Sequence, residues 1–391
     1  MPIGDDVDRI PLESLLHPGT PEEARRNALL QAPYEPDAYE EGITGYAGQN
    51  QQRVWRIEER PAVRTRVGGR GYYKGGLARL PDGTLFAAPC RPVRGPGGPH
   101  DVSFRISVFR SDDGGETWND TGAEGLMGKE PALLALPDGT LVLTAQYYEQ
   151  AVWVPRMPVS RSTDGGRTFE TTWLEANRDY PRNLIWDEAA GEIVMIRSKA
   201  RKYWYETHEE SSPHLEVARS ADAGRTWRRE TGLLPWDFTG YSELASLLLP
   251  DGRFLVAIRR EPPGTKGEGF EDTLLTESTD GGRTFRMPWL ASHTGEVHWH
   301  LLRLRDGRIL ATWSNYHLPY GIQAAVSTDG GRTFDLAHAT MLALSSDYYV
   351  GWPVTVEFAD GTLGTLYAST PFLSQKPDST ACEFVRWSLE T

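Results

Sequence analysis

Six side chains that could carry out chemistry occupy equivalent positions in a repeated pattern. Each lies eight residues before a turn-forming Asp-Gly or Ala-Gly pair, at the start of an apolar strand pattern. The six are Lys74, Glu130, Arg182, Glu243, His298 and Trp352. Paired carboxylates suit general acid and base roles, and cations suit the binding of an anion. The alternative is that the six side chains fill a wet central channel and pair with one another.

The elements that must position these side chains form two interleaved repeats. In the first, an apolar run, a turn pair and a second apolar run recur six times, as in LARLPDGTLFAAP. An Asp-Gly pair between β-rich runs predicts a hairpin. The second repeat is STDGGRTF, found three times verbatim and twice in looser form. Its aspartates lie roughly 50 residues apart, which is the period of a four-stranded propeller blade; they are Asp113, Asp164, Asp222, Asp280 and Asp329.

These repeats predict an all-β fold, a six-bladed β-propeller of four-stranded antiparallel blades. The octapeptide, an Asp box, joins the third strand of a blade to the fourth. Its Asp carboxylate is expected to cap N–H groups of its own turn, so the box supports folding rather than catalysis. The propeller is predicted over residues 51–391, with residues 51–59 supplying the strand that closes the last blade. Residues 1–50 are predicted to be an extension of one short helix and loops.

The strand alternation places the six side chains on one face of the propeller. First strands line the axis, so their starts and the ends of the second strands share a face, opposite the hairpin turns and boxes. The second strands end in Arg91, Gln146, Arg197, Arg259 and Asn315, and the following loops carry Asp101 and Tyr316. Aromatic rings stack on sugars and arginines grip carboxylates. Such a concavity predicts a site for an acidic sugar, with Glu130 and Glu243 as an acid–base pair.

Composition excludes several other classes of function. A net charge of -13 argues against nucleic acid or an anionic membrane as the partner, and leaves a small molecule or glycan. The boxes contain too few acidic ligands for calcium, so no metal and no cofactor is predicted. Cys90 and Cys382 allow one disulfide at most. The N-terminus MPIGDDVDRI lacks a basic flank and an apolar run, which predicts a cytoplasmic protein unless a leader was removed.

Over roughly residues 50–391 the chain resembles the sialidase superfamily, on the Asp boxes and the six repeats. Members hold the substrate carboxylate with three arginines and attack with a tyrosine that a glutamate assists. The resemblance implies that Glu243, in YSELASLLLPDG, is that glutamate, and that Arg259, in FLVAIRR, is the second arginine. It also implies that Asp101, in RPVRGPGGPHD, is the acid/base.

Three positions depart from the family pattern. The first arginine position holds Tyr73 or Lys74, no arginine occurs in NYHLPYGIQAA, and Trp352 stands at the nucleophile position with Tyr349 nearby. The sequence therefore predicts a sialidase-like, exo-acting hydrolase of an acidic or otherwise non-sialic sugar.

In this hydrolase, the acid/base work falls to Glu243 with either Glu130 or Asp101, and His298 is a further candidate base. The predicted substrate-binding residues are Lys74, Arg91, Arg182, Arg259, Trp352, Tyr349, Tyr316 and Gln146. A lyase acting on a uronate glycan and a non-catalytic carbohydrate-binding propeller remain alternatives.

Overall fold

A computed structural model describes residues 62–94, 102–149, 152–153, 156–175, 182–198, 214–234, 241–260, 271–317, 320–345, 350–369 and 380–389. The proposed N-terminal extension and the boundary at residue 51 lie outside these ranges and stay predictions. Within the described ranges, no helix is long and apolar enough to cross a membrane. A single turn of 3-10 helix, Leu336–His338, is present.

The strands, in chain order, are β1 (Val63–Val67), β2 (Tyr73–Arg79), β3 (Leu85–Arg94), β4 (Val102–Ile106), β5 (Phe109–Ser111), β6 (Asn119–Asp120), β7 (Lys129–Ala135), β8 (Leu141–Gln146), β9 (Tyr148–Glu149), β10 (Val152–Trp153), β11 (Arg156–Ser162), β12 (Glu170–Glu175), β13 (Ile185–Asp187), β14 (Glu192–Ser198), β15 (His214–Ser220), β16 (Arg228–Leu233), β17 (Tyr241–Leu248), β18 (Phe254–Arg260), β19 (Asp272–Ser278), β20 (Trp289–Leu290), β21 (Glu296–Arg303), β22 (Ile309–Asn315), β23 (Gly321–Ser327), β24 (Thr340–Leu344), β25 (Gly351–Glu357), β26 (Leu363–Ser369) and β27 (Ala381–Trp387).

These strands form six antiparallel blades. Blade 1 is β2-β3-β5-β6 with β4 paired to β3, and blade 2 is β7-β8-β11-β12. Blades 3, 4 and 5 are β13 to β16, β17 to β20 and β21 to β24, each in sequential order. Blade 6 is β25-β26-β27-β1, and β9 and β10 form a separate small hairpin. The six-bladed propeller predicted from the repeats is confirmed.

The core is divided into six apolar clusters, one at each junction between neighbouring blades. Burial of apolar surface between sheets is the main force that holds the ring together. Representative pairs, in order around the ring, are Phe86 and Leu133, Val142 and Met195, Ile196 and Phe254, Leu255 and Trp313, Ile322 and Tyr367, and Leu366 and Leu85.

The ring is closed by β1, which pairs with β27 from Val63 opposite Arg386 to Val67 opposite Cys382. A strand from before the first hairpin therefore completes the last blade, as predicted, but it is not residues 51–59, which lie outside the described ranges. The prediction assigned this strand to residues 51–59 because their sequence is strand-like and precedes the first hairpin. The closing strand, VRTRV, is instead largely exposed, because an outermost strand has only one covered face.

The Asp boxes are local hydrogen-bonded turns. In the fourth box, Asp280 Oδ1 accepts the backbone N–H of Thr284 at 2.9 Å, and Oδ2 accepts the Thr284 hydroxyl at 2.6 Å. The Ser278 hydroxyl donates to Asp280 and accepts the N–H of Gly282. Although partial burial opposes it, these bonds lower the pKa of Asp280 to about 2. The other four boxes repeat the pattern, so the predicted capping role is confirmed.

Boxes and hairpin turns share one face of the propeller. Arg253, beside the turn of blade 4, donates to the carbonyl of Gly330 in the box of blade 5 at 2.9 Å. In blade 1, the Thr84 hydroxyl beside the turn lies 3.4 Å from Asp112 in the box. The starts of the first strands therefore lie at the opposite face, as predicted.

Candidate functional site

Five of the six predicted side chains begin their strands at a left-handed β-bulge. Lys74, Glu130, Glu243, His298 and Trp352 have φ between 44° and 57°, and Ala223 is the sole other non-glycine residue with positive φ among the described residues. The pairing of first and second strands shifts register at all five positions. A bulge re-aims a side chain out of the regular alternation of a strand. A left-handed non-glycine residue costs about 1–3 kcal/mol and is typical of functional sites.

Glu243, from blade 4, is the centre of the side chains that meet at the axis. Its Oε2 lies 2.9 Å from Nε2 of His298 and accepts the Trp352 indole N–H at 3.2 Å. Its Oε1 accepts a hydrogen bond from Arg259 at 3.3 Å, and Nη1 of Arg182 lies 3.8 Å from Oε2. Side chains from blades 3, 4, 5 and 6 therefore converge on one buried carboxylate.

Lys74 and Glu130 form a second buried pair, between blades 1 and 2. The Lys74 ammonium donates to Glu130 at 2.5 Å and lies 3.7 Å from the centre of the Trp352 ring. Gln146 donates to the other oxygen of Glu130 at 3.2 Å, and Lys129 lies 3.4 Å from its first oxygen. Trp352 contacts both Lys74 and Glu243, so it joins the two carboxylate groups into one network.

Burial and charge set opposite pKa shifts in this network. Desolvation lowers the pKa of Lys74 to about 8, although the Glu130 carboxylate opposes the shift. Burial alone would raise the pKa of both glutamates. The charge of Lys74 nevertheless holds the pKa of Glu130 below its usual range, and His298 and Arg259 hold that of Glu243 well below it. At neutral pH both carboxyl groups are therefore ionised.

His298 connects Glu243 to two hydroxyl groups. Its Nδ1 lies 2.9 Å from the Ser314 hydroxyl and 3.3 Å from the Tyr316 hydroxyl. The imidazole stacks on Trp352 with ring centres 4.5 Å apart and meets Tyr316 edge-on. Desolvation lowers the pKa of His298 to about 4, so the ring is neutral at neutral pH.

A cavity of about 240 Å³ lies along the axis, lined by first-strand segments of all six blades. Arg182 lines it together with Asn183, His300 and Thr355, so this arginine belongs to both the network and the cavity. Lys74, Glu130, Glu243, His298 and Trp352 are buried. Contacts among these five side chains span the axis. They therefore form a floor between the cavity and the face where the first strands start.

The structure brings most of the predicted site residues together. All six first-strand residues join the network, and Arg259, Gln146 and Tyr316 join from the ends of second strands. Arg91 does not: its guanidinium lies over Tyr72, 5.4 Å from the ring centre, and no described contact links it to the network. Arg197 forms a buried ion pair with Glu216 in blade 3. Asp101 and Tyr349 lie outside the described residues.

Three members of the network are not predicted from the sequence. Glu271 accepts a hydrogen bond from Arg259 at 2.7 Å, Lys129 adjoins Glu130, and Ser314 holds His298. Glu271 immediately precedes a third strand, which the same alternation places on this face, so that position was a usable signal. No such signal marks Lys129 or Ser314. Lys129 lies one residue before the position that the eight-residue spacing selects, and Ser314 lies one residue before the end of its second strand.

No family model matches the chain, and no curated protein matches it. Its fold is similar to that of a protein of unknown function from Dyadobacter fermentans, with a TM-score of 0.64 and 19% identity over 85% of this chain and 99% of that one.

Two glycosidases of known structure also share the fold. The NanB sialidase from Streptococcus pneumoniae gives a TM-score of 0.58 and 12% identity, over 83% of this chain and 70% of that one. The α-L-arabinofuranosidase Arb93A from Fusarium graminearum gives a TM-score of 0.61 and 13% identity, over 83% and 97%. The resemblance to sialidase-like propellers is therefore confirmed at the level of the fold.

Proposed function

We propose that this protein is an exo-acting glycoside hydrolase that removes an acidic, non-sialic sugar from the end of a glycan. The observation that carries the proposal is the network itself. Five strained bulges direct two carboxylates, an ammonium group, an imidazole and an indole ring to one point on the axis, in a fold shared with a sialidase and an arabinofuranosidase. Strain maintained at five equivalent positions suggests a function beyond packing.

Cations of the network are suited to an anionic group on the sugar. Lys74, Arg182 and Arg259 come from three blades and surround the Glu243 side of the site. The nearest acidic oxygen to Arg182 among the described residues is 3.8 Å away, longer than a direct hydrogen bond. An arginine so placed can engage a second carboxylate, since the guanidinium fork offers five donors.

A closed floor favours action at chain ends. Lys74, Trp352, Glu243 and His298 touch one another across the axis, so a glycan chain has no open path past them. A dead-end pocket accepts a terminal residue, whereas internal cleavage requires a groove open at both ends. The proposed substrate is therefore a terminal sugar.

In this proposal, the group that donates a proton to the leaving group is different from the two ionised glutamates of the network. General acid catalysis requires a group that is protonated at the working pH. Glu130 and Glu243 are both ionised by their cationic neighbours, which suits them to electrostatic and base roles. The proton for the leaving group is therefore assigned to Asp101, as the family resemblance implies.

The test is hydrolysis of 4-nitrophenyl glycosides of sialic acid, glucuronic acid, galacturonic acid and arabinofuranose. We expect turnover of a uronic acid glycoside, and a loss of about 10²–10⁴-fold in kcat for Glu243→Gln and Asp101→Asn. Glu357→Gln is the matched control, because Glu357 pairs with Arg305 far from the network. Full activity of both site variants would exclude the assignment.

A lyase acting on a uronate glycan is the second candidate. His298 is neutral at neutral pH because of its lowered pKa, so its Nδ1 can accept the proton α to a carboxylate. Lys74 or Arg182 would then neutralise the enolate. An unsaturated uronate product, detected by its ultraviolet absorbance, would identify the lyase. Glycan binding without turnover, retained in Glu243→Gln, would identify a binding module.

A further inference from the structure

The axial cavity lies on the other side of the floor from the face where the first strands start. Arg182, His300 and Arg79 line it, and no aspartate or glutamate is among its described lining residues. We infer that this cavity is a binding site for a small oxyanion, held by the Arg182 guanidinium and the His300 imidazole. The site is separate from the proposed sugar pocket, and the inference does not depend on the proposed function.

Arg182 is a buried cation with donors to spare. Its side chain is 8% exposed, and its Nη1 lies 3.8 Å from Glu243 Oε2, which is beyond hydrogen-bond distance. Its guanidinium donates no hydrogen bond to any residue in the described ranges. A guanidinium has five N–H donors in a planar fork, and the fork matches two oxygens of an oxyanion. Contact with the network on one side therefore leaves donors for the cavity.

A comparison with Arg259 shows the effect of a direct partner. Burial acts to lower the pKa of both arginines. In Arg259 the Glu271 carboxylate, at 2.7 Å, outweighs burial, and the pKa is raised well above its usual value. In Arg182 burial prevails over the more distant Glu243 and holds the pKa below its usual value. An oxyanion in contact with Arg182 would supply the compensation that Glu271 supplies to Arg259.

The described charges around the floor leave one positive charge in excess. Four cations meet three carboxyl groups there: Lys74, Lys129, Arg182 and Arg259 against Glu130, Glu243 and Glu271. His298 adds no charge at neutral pH, because desolvation lowers its pKa to about 4. A buried charge that lacks a close partner is costly, so an anion that neutralises it is bound favourably.

His300 supplies a second donor, from blade 5. Its Nδ1 accepts the backbone N–H of Thr355 at 3.3 Å, so the proton of the neutral ring is on Nε2. The ring is neutral because desolvation, together with the charge of Arg182, lowers its pKa to about 3. Within the part of the chain that the structure describes, no residue accepts a hydrogen bond from Nε2. An N–H donor beside a guanidinium favours an anion over a cation.

The other polar side chains of the cavity hold its walls in place. Asn183, next to Arg182, bonds to the backbone of Ser246 in both directions, at 2.6 and 2.9 Å. The hydroxyl of Thr355, next to His300, lies 3.1 and 3.0 Å from the hydroxyls of two neighbouring threonines. These bonds tie blade 3 to blade 4 and blade 5 to blade 6. The two donors are therefore positioned before a ligand binds, which lowers the entropic cost of binding.

The cavity is accessible from the face of the hairpin turns. Four lining side chains toward that end of the first strands are partly exposed: Leu134, Leu247, Leu302 and Val356. Arg79 lies at the same end and adds positive charge at the entrance. The volume of about 240 Å³ holds an anion of the size of acetate or sulfate together with several waters, since a water occupies about 30 Å³.

The experiment is an NMR titration of protein labelled with ¹⁵N at histidine. The chain has nine histidines, and His300→Phe identifies the His300 Nε2 signal. The probes are sodium sulfate and sodium acetate, with sodium chloride as the monatomic anion. We expect this signal to shift saturably with sulfate or acetate, with a Kd on the order of 1 mM, and at least about tenfold more weakly with chloride. The tighter of the two oxyanions shows whether the site prefers an inorganic oxyanion or a carboxylate.

Substitutions of Arg182 test its role through the same His300 signal. Arg182→Met should weaken oxyanion binding at least about tenfold, and Arg182→Lys by a smaller factor, because an ammonium group keeps the charge but lacks the fork. Arg219→Met is the matched control and should leave the Kd unchanged. Arg219 is a nearly equally buried arginine of the same blade, 12% exposed, and its Nη1 lies 3.6 Å from Asp187 and not in the cavity.

Three results overturn the inference: a His300 signal that does not shift saturably with either oxyanion, chloride binding as tight as that of the oxyanions, or wild-type affinity in both Arg182 variants. The wild-type titration decides the first two results whether or not a variant folds. Each of these results leaves the proposed hydrolase intact, because glycoside turnover is measured separately. Absence of turnover likewise leaves the oxyanion site intact.

Discussion

The buried ammonium group of Lys74 allows a quantitative test of the axial network. Its pKa is lowered from 10.5 to about 8 by desolvation, with Glu130 opposing the shift and Lys129 adding to it. Because the folded pKa lies below the unfolded one, the unfolded chain binds more protons between pH 8 and 10.5. The free energy of unfolding therefore rises with pH across that window. A shift of this size, at roughly 1.4 kcal/mol per pH unit, corresponds to about 3 kcal/mol.

Two neighbouring substitutions should move the pKa of Lys74 in opposite directions. Glu130→Gln removes the carboxylate that raises it, so the pKa falls below about 8. Lys129→Gln removes a like charge, so the pKa rises. The two positions are adjacent in the chain, which makes each variant the control for general damage by the other.

The assay is an NMR pH titration of protein labelled with ¹³C at lysine Cε. The chain has six lysines, Lys74, Lys129, Lys199, Lys202, Lys266 and Lys376, so the spectrum is simple and Lys74→Met identifies the signal. We expect one lysine to titrate near pH 8 in the wild-type protein. A Lys74 signal that titrates near 10.5, or that shifts in the same direction in both variants, would refute the desolvated network.

Three further expectations concern activity and stability. The pH profile of kcat/KM should rise through about pH 4, where His298 loses its proton, and fall near pH 8, where Lys74 loses its charge; Lys74→Arg should abolish the upper limb. Asp280→Ala should lower the free energy of unfolding by about 1–2 kcal/mol in urea titrations, because it removes the capping oxygens, with kcat unchanged. Gly351→Ala should displace Ser314 and lower kcat at least tenfold, whereas Gly307→Ala, also at positive φ but with no atom within 4 Å, should leave kcat unchanged.

The sequence predicts the propeller well because its signals are local. An Asp-Gly turn or a box forms from the residues that it contains, as the bonds between Asp280 and Thr284 show. Because each blade has one hairpin turn, six turns predict six blades. Each turn also fixes which residue, eight positions earlier, opens the first strand of its blade. The outer strand β1 was missed because an exposed strand needs no apolar run, and its partner β27 is at the far end of the chain.

Most members of the axial network were among the residues selected from the sequence, but the contacts between them were not predicted. The eight-residue spacing selects Lys74, Glu130, Glu243, His298 and Trp352, because the bulge recurs at the same distance from each turn. Arg91 was selected because it ends a second strand, and the sequence gives no reason to exclude it. In the structure its guanidinium lies over Tyr72. The spacing also could not include Ser314, whose role depends on a ring from another strand.

The amino-acid sequence by itself determined the number of blades, the face toward which the axial network lies and the residues that open each first strand, since all three follow from short-range turn chemistry repeated at a fixed period. Only the tertiary structure decided which charge neutralises which, and hence that both glutamates are ionised, that desolvation lowers the pKa of Lys74 to about 8 and that His298 lies between Tyr316 and Glu243. These properties depend on burial and on distances between side chains from different blades, such as Trp352 and Glu243, 109 residues apart. Coulomb energy and desolvation vary steeply with both quantities, and neither is encoded in the local pattern.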